Sequence, residues 1–116
     1  MLTELRQYCW GSKVVSLTVK TSSNPFAVAS CVHPAMVDPE EAKDIKIPLI
    51  LLASKDEPED DVNKYVENLS GPKHSEIFKD QVHGWMAARA DLKDSNVKNE
   101  YERGYKLLLE FYAKHL

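Results

Sequence analysis

With 116 residues the chain is long enough for one hydrophobic core and short for an α/β enzyme built on a many-stranded sheet. Its 43% hydrophobic and 28% charged residues exclude disordered and fibrous classes. A net charge of −3, with no basic run interleaved with aromatics, argues against a nucleic-acid binder.

The first eight residues carry Glu4 and Arg6 and lack the apolar stretch of a signal peptide. Residues 47–53, the longest apolar run, are interrupted by Pro48 and too short to span a bilayer. A cytoplasmic chain without a membrane partner is expected, and Cys9 and Cys31 read as free thiols rather than a disulfide framework.

In chain order, residues 1–8 are short and polar and make a poor buried strand. Gln-Tyr-Cys-Trp-Gly-Ser-Lys at 7–13 then has the downstream half of a nucleophile elbow, a reactive residue on a tight turn between strand and helix. From Gly11 to Lys20, Val14, Val15, Leu17 and Val19 fit a helix or a strand, and the elbow context favours the helix. Ser22, Ser23, Asn24 and Pro25 break it. Phe-Ala-Val-Ala-Ser-Cys-Val at 26–32 reads as a strand buried on both faces, and residues 36–46 as a connection. Residues 47–53 form the strongest strand.

Pro58 with Glu59, Asp60 and Asp61 opens a helix whose apolar face is Val62, Tyr65, Val66 and Leu69, stopped by Gly71 and Pro72. A short strand at 74–78 leads to a loop holding His83, Gly84 and Trp85. Asp94 or Ser95 caps a long last helix with Tyr101, Tyr105, Leu108 and Tyr112, flanked by Leu109 and Leu116, on its apolar face. Strands alternating with helices at this spacing imply a single α/β domain over 1–116, with a mainly parallel sheet of three or four strands flanked by helices.

Cys9, Asp56 and His83 fall at the ends of these elements in the order nucleophile, acid, histidine. A thiolate would attack, His83 would take the thiol proton and return it to the leaving group, and Asp56 would orient the imidazole, with neighbouring Glu57 a credible substitute. The backbone N–H of Trp10 and the start of its helix would contribute to an oxyanion hole. Cys31 reads as a core thiol, His33 as a structural or pocket-lining residue, and His74 and His115 as surface residues. No metal site is expected, because no second ligand lies at a metal-site spacing from His33.

Tyr-Cys-Trp-Gly at 8–11 with Lys13, Ala-Ser-Lys-Asp-Glu at 53–57, Val-His-Gly-Trp at 82–85 and Glu-Tyr-Glu-Arg-Gly-Tyr at 100–105 resemble dienelactone hydrolases, those of fungi above all. The resemblance runs from Tyr8 to the end of the chain. It implies a partial α/β-hydrolase fold and cofactor-free hydrolysis of a small-molecule lactone or carboxylic ester through Cys9, Asp56 and His83. It further implies substrate contacts from Trp85 and from Arg89, the latter on a substrate carboxylate; in well-studied members a dienelactone is opened to maleylacetate.

Three departures qualify it. Gln7 stands where the elbow has its first glycine and should crowd the turn, and Ser12 replaces the second glycine of a frequent pair. Family members are also about twice as long, and the part before the elbow includes half of the sheet and the other oxyanion donor. A half-sheet leaves an edge strand open, so a second reading is a non-catalytic remnant whose edge packs on a partner or a second copy. A third is an incomplete gene model with its start upstream.

Overall fold

The computed structural model describes residues 4–116. The expectation for residues 1–3 lies outside the described residues. Eight elements follow one another: β1 (Glu4–Tyr8), α1 (Gly11–Val19), β2 (Val28–Val32), α2 (Pro39–Ala42), β3 (Leu49–Ser54), α3 (Glu59–Asn68), β4 (Lys73–Phe78) and α4 (Ser95–His115). The four strands form one parallel sheet in the order β1-β2-β3-β4. The α/β architecture with a long C-terminal helix is thus as the sequence predicts. Among the described residues no helix is long and apolar enough to cross a membrane.

Side chains alternate across a strand, so each strand feeds two cores. On one face Ala29, Cys31, Leu49, Leu51 and Ala53 meet Val15 and Val19 of α1, and Val62 and Tyr65 of α3. On the other, Val28, Val32, Ile50 and Leu52 meet Phe78, Trp85, Met86 and the α4 residues Leu108, Phe111 and Tyr112. Every residue of β2 and β3 is buried, which is why both segments read as continuous apolar runs rather than alternating ones. At roughly 1.5–3 kcal/mol for each large apolar side chain removed from water, these two layers dominate the cohesion of the fold.

Three local outcomes differ from the sequence reading. The polar segment before the elbow is a strand after all: its backbone pairs in parallel with β2, and Leu5 packs into the first core while Arg6 and Gln7 stay exposed. The connection 36–46 contains a one-turn helix, capped by the Asp38 side chain accepting from the Glu40 N–H at 3.0 Å with Pro39 in the first turn. On α4 the buried set is Gly104, Leu108, Phe111 and Tyr112, whereas Leu109 and Leu116 are exposed. The helix is rotated toward the sheet about its 104/108/111 row, because Gly104 accommodates the Met86 side chain.

Several contacts fix the C-terminal ends of the strands relative to one another. Asp94 caps α4 by accepting from the Asn96 and Val97 N–H groups at 2.9 and 3.1 Å. The Tyr8 hydroxyl donates to that of Tyr105 at 2.9 Å, and Tyr105 donates to the Met86 carbonyl at 3.0 Å. Buried Gln81 donates to Asn96 Oδ1 at 2.7 Å. The loop after β4 is thereby tied to both the end of β1 and the start of α4.

Candidate functional site

β1 ends at Tyr8 and α1 begins at Gly11, leaving Cys9 and Trp10 to turn the chain. Cys9 adopts φ 54°, a left-handed conformation rarely used by a non-glycine residue and one that costs on the order of 1–3 kcal/mol. Hydrogen bonds hold it there: the Cys9 N–H donates to the Val32 carbonyl at 3.1 Å, and the Cys9 carbonyl accepts from Ser12 and Ala35 at 3.2 and 3.0 Å. Gln7 does not abolish the elbow. Its side chain occupies the space a Cβ on Gly11 would need, 2.7 Å from its Oε1, so the missing side chain at position 11 relieves the crowding expected at position 7. The Ser12 hydroxyl closes the turn by donating to the Gln7 carbonyl at 3.0 Å.

The neighbouring strand supplies a residue the sequence reading left in a structural or pocket-lining role. His33 follows β2 with φ 34°, is fully buried, and places Nδ1 3.3 Å from the Cys9 Sγ. Burial, with the nearby His83 ring adding to it, pushes the His33 imidazole down to about 4, so this ring is neutral at pH 7. It stacks edge-on against His83 and Trp85, with ring centres 5.2 and 5.3 Å away. The only sequence signal was its place at a strand end next to a proline.

The carboxylates divide their roles. Asp56 is exposed and its Oδ2 accepts from the backbone N–H of His83 at 2.8 Å. The Glu57 side chain is 3% exposed, and its Oε2 lies 3.4 Å from His83 Nδ1. Glu57 is fixed from behind, accepting from the Ser54 N–H at 2.9 Å and from the Ser54 hydroxyl at 2.5 Å. Asp56 therefore grips the loop that carries the histidine, and Glu57 meets its ring. The His83 side chain keeps 35% of its surface in solvent.

One donor atom from each of Cys9, His33 and His83 falls within 4.8 Å of the others. The Cys9 thiol is raised above its usual range, first by desolvation and then by the Glu57 charge, while Arg89 opposes this. Arg89 itself is exposed, and its N–H donates to the Gly84 carbonyl at 3.0 Å, in a turn where Gly84 has φ 94°. Trp85 is fully buried between Phe78 and His33, behind the imidazoles and away from solvent. Trp10 stands at the start of α1, where first-turn N–H groups lack intrahelical acceptors, and the residue is 63% exposed.

Cys31 is a core thiol, as expected, pushed up to about 12 by burial. Of the remaining histidines, His74 is exposed and His115 is half-buried with its ring against Phe111.

No family model matches the chain. It is similar to two uncharacterized AIM2 family proteins of Schizosaccharomyces pombe. One is 34% identical over an alignment of 112 residues that covers 92% of this chain and 44% of the relative. The other is 36% identical over an alignment of 110 residues that covers 90% of this chain and 43% of the relative. The chain thus spans less than half the length of these relatives and is homologous to one part of them.

Proposed function

We propose that the chain carries the nucleophile end of a dienelactone hydrolase-like site, a thiol-dependent hydrolase of a small lactone or carboxylic ester. The observation that supports it most is Cys9 at φ 54° between a parallel strand and a helix, facing two histidines at the same end of the sheet. In the proposed reaction His83 takes the proton from Sγ, and the thiolate adds to the substrate carbonyl carbon. The Trp10 N–H and the start of α1 hold the oxyanion. The C–O bond of the ester breaks, His83 returns the proton to the departing alkoxide, and the acyl group remains on sulfur. Water, deprotonated by the same imidazole, then cleaves the thioester and restores the thiol.

Glu57 at Nδ1 sets the tautomer and offsets the imidazolium charge, and Asp56 fixes the loop through the His83 N–H. Because burial raises the Cys9 thiol, the proposed attack requires His83 to take its proton. Arg89, exposed and with its charge felt at the Cys9 thiol, would hold a substrate carboxylate. Purified chain is expected to hydrolyse a small activated ester or a dienelactone, and Cys9→Ala is expected to lower the rate by at least about 10³-fold. Undiminished turnover in Cys9→Ala would falsify the mechanism.

A second reading, a self-associating half-domain, is favoured by a separate observation. Trp10, Val14 and Leu17 form an apolar row on α1 that is 63, 46 and 44% exposed, and α1 packs on the edge strand β1. A second copy covering this row and the β1 edge predicts a dimer in sedimentation velocity that Trp10→Lys with Leu17→Lys disperses. A monomer at all concentrations eliminates this reading.

A further inference from the structure

Spacing along the chain hides one property of this rim: metal-ligating side chains from the ends of β1 and β2 and from the loop after β4 converge on one point. We infer that Cys9, His33 and His83 form a three-donor chelate for a borderline-soft divalent cation of the zinc class. Their donor atoms already lie within 4.8 Å of one another, and Cys9 Sγ and His33 Nδ1 are 3.3 Å apart. A tetrahedral ion with bonds of about 2.0 Å to nitrogen and 2.3 Å to sulfur holds its donors roughly 3.3–3.7 Å apart, so a shift of about 1 Å closes the set. One thiolate and two imidazoles are the donor types such a cation prefers to hard-oxygen sites.

The surroundings supply what an isolated trio would lack. Metal-bound histidines generally donate their second ring N–H to a carboxylate, which fixes the tautomer and strengthens the ligand. Glu57, buried and held by two hydrogen bonds from Ser54, stands 3.4 Å from His83 Nδ1 and leaves Nε2 as the nitrogen free to ligate. His33 and Cys9 are held in left-handed backbone conformations, with the Cys9 N–H on the Val32 carbonyl and the His33 N–H on the Leu52 carbonyl at 2.7 Å. His33 Nε2 has no hydrogen-bond partner despite its burial, so a small ring movement breaks no hydrogen bond on that side. The partial exposure of His83 provides the entry path and leaves a fourth position to water.

Ligation converts the Cys9 thiol to a thiolate bonded to the cation and releases its proton to solvent. The same event removes the nucleophile and occupies the nitrogen that would accept its proton, so the cation blocks a site of the kind proposed above. The chelate itself does not depend on turnover.

The test is a titration of the tag-free, reduced, chelator-treated full chain with Co²⁺ alone, followed by displacement with Zn²⁺. The expected result is one equivalent bound, a thiolate-to-metal charge-transfer band, intense visible bands of four-coordinate cobalt, and about one proton released. Cys9→Ser is expected to remove the charge-transfer band. His83→Gln is expected to weaken binding at least tenfold, and Glu57→Gln by roughly 10–100-fold. Cys31→Ala is expected to change nothing, and circular dichroism checks that each variant is folded. Absence of a saturable band, its survival in folded Cys9→Ser, or its loss in folded Cys31→Ala overturns the chelate. The hydrolase reading fails separately: a chain that binds one Co²⁺ through Cys9 but never turns over loses only that reading, and one that turns over unaffected by Zn²⁺ loses only the chelate.

Discussion

Cys31 lies on β2 and Cys9 just past the end of its parallel neighbour β1, and the register sets them only two residues apart: Cys31 pairs with Gln7, and Cys9 follows Gln7 by two positions, on the turn after the strand. That small step separates the interior of the sheet from its rim. Cys31 is 2% exposed, packed among Val15, Leu51 and Tyr65, and its thiol is pushed up to about 12. Cys9 is half-buried on a left-handed turn with an imidazole nitrogen 3.3 Å from its sulfur and an arginine charge opposing its burial. In a parallel sheet all C-terminal strand ends emerge on one side, so side chains far apart in sequence meet there while the strand interiors hold only core. Chemical potential here follows position in the sheet more than residue type.

The sharpest test of this contrast is alkylation. Iodoacetamide is expected to modify Cys9 at a rate that rises with pH into the alkaline range, because burial places its thiol above the ordinary value. Cys31 reacts only through opening of the fold, so its labelling is expected to be slower by about 10³-fold or more. Arg89→Gln removes the cation that favours the thiolate and should slow Cys9 labelling at fixed pH several-fold. Equal labelling of both thiols in native chain, read by peptide mass spectrometry, would erase the distinction between rim and interior.

Within the rim the two adjacent carboxylates offer the next contrast. Glu57→Gln takes the charge away from the His83 ring, and kcat for ester hydrolysis is expected to fall roughly 10²-fold. Asp56→Asn keeps an oxygen to accept the His83 N–H and should cost less than about tenfold. The reverse ranking would return the orienting role to Asp56.

His33 couples the rim to stability. Its folded-state value of about 4 lies below the unfolded 6.5, so between those values the unfolded chain binds more protons. The sign follows: this contribution is complete above pH 6.5 and is lost as pH falls toward 4, by on the order of 2–3 kcal/mol. Urea midpoints measured from pH 7 to pH 4 should show this loss, with a flatter profile in a folded His33→Asn variant. An identical slope in that variant would assign the acid sensitivity to other groups.

Much of this molecule is legible in the chain itself. The apolar runs that became β2 and β3 and the periodic faces of α3 and α4 are visible because full burial and helical spacing each leave a pattern. β1 escaped because adjacent exposed residues, Arg6 and Gln7, interrupt the apolar alternation and its strand character comes from pairing with β2, which local sequence does not show. At the site, Cys9 and His83 are recognisable from order and neighbouring glycines. The sequence order pairs Asp56 with His83 but does not show which carboxylate reaches the ring, since that depends on how the chain turns after Ser54. His33 is hidden for a different reason: its relation to Cys9 is created by strand register alone, across 24 residues of chain.

The smallest expected effect concerns the elbow itself, where Gln7 and Gly11 replace the usual division of small residues. An alanine at position 11 would gain helix propensity, about 0.5–1 kcal/mol, at the first position of α1. Its Cβ would also stand 2.7 Å from Gln7 Oε1 and 3.1 Å from Gln7 Cβ. The amide end can swing into solvent, since Gln7 is exposed, but its Cβ is fixed by the pairing of β1 with β2. In the parent chain the gain and the crowding are expected nearly to cancel. With Gln7→Gly the crowding disappears and Gly11→Ala should become stabilising, giving a coupling of about 0.5–1 kcal/mol between the two sites in urea unfolding. Strict additivity would show that Gly11 is free of Gln7, and that the turn at Cys9 is held by its backbone hydrogen bonds alone.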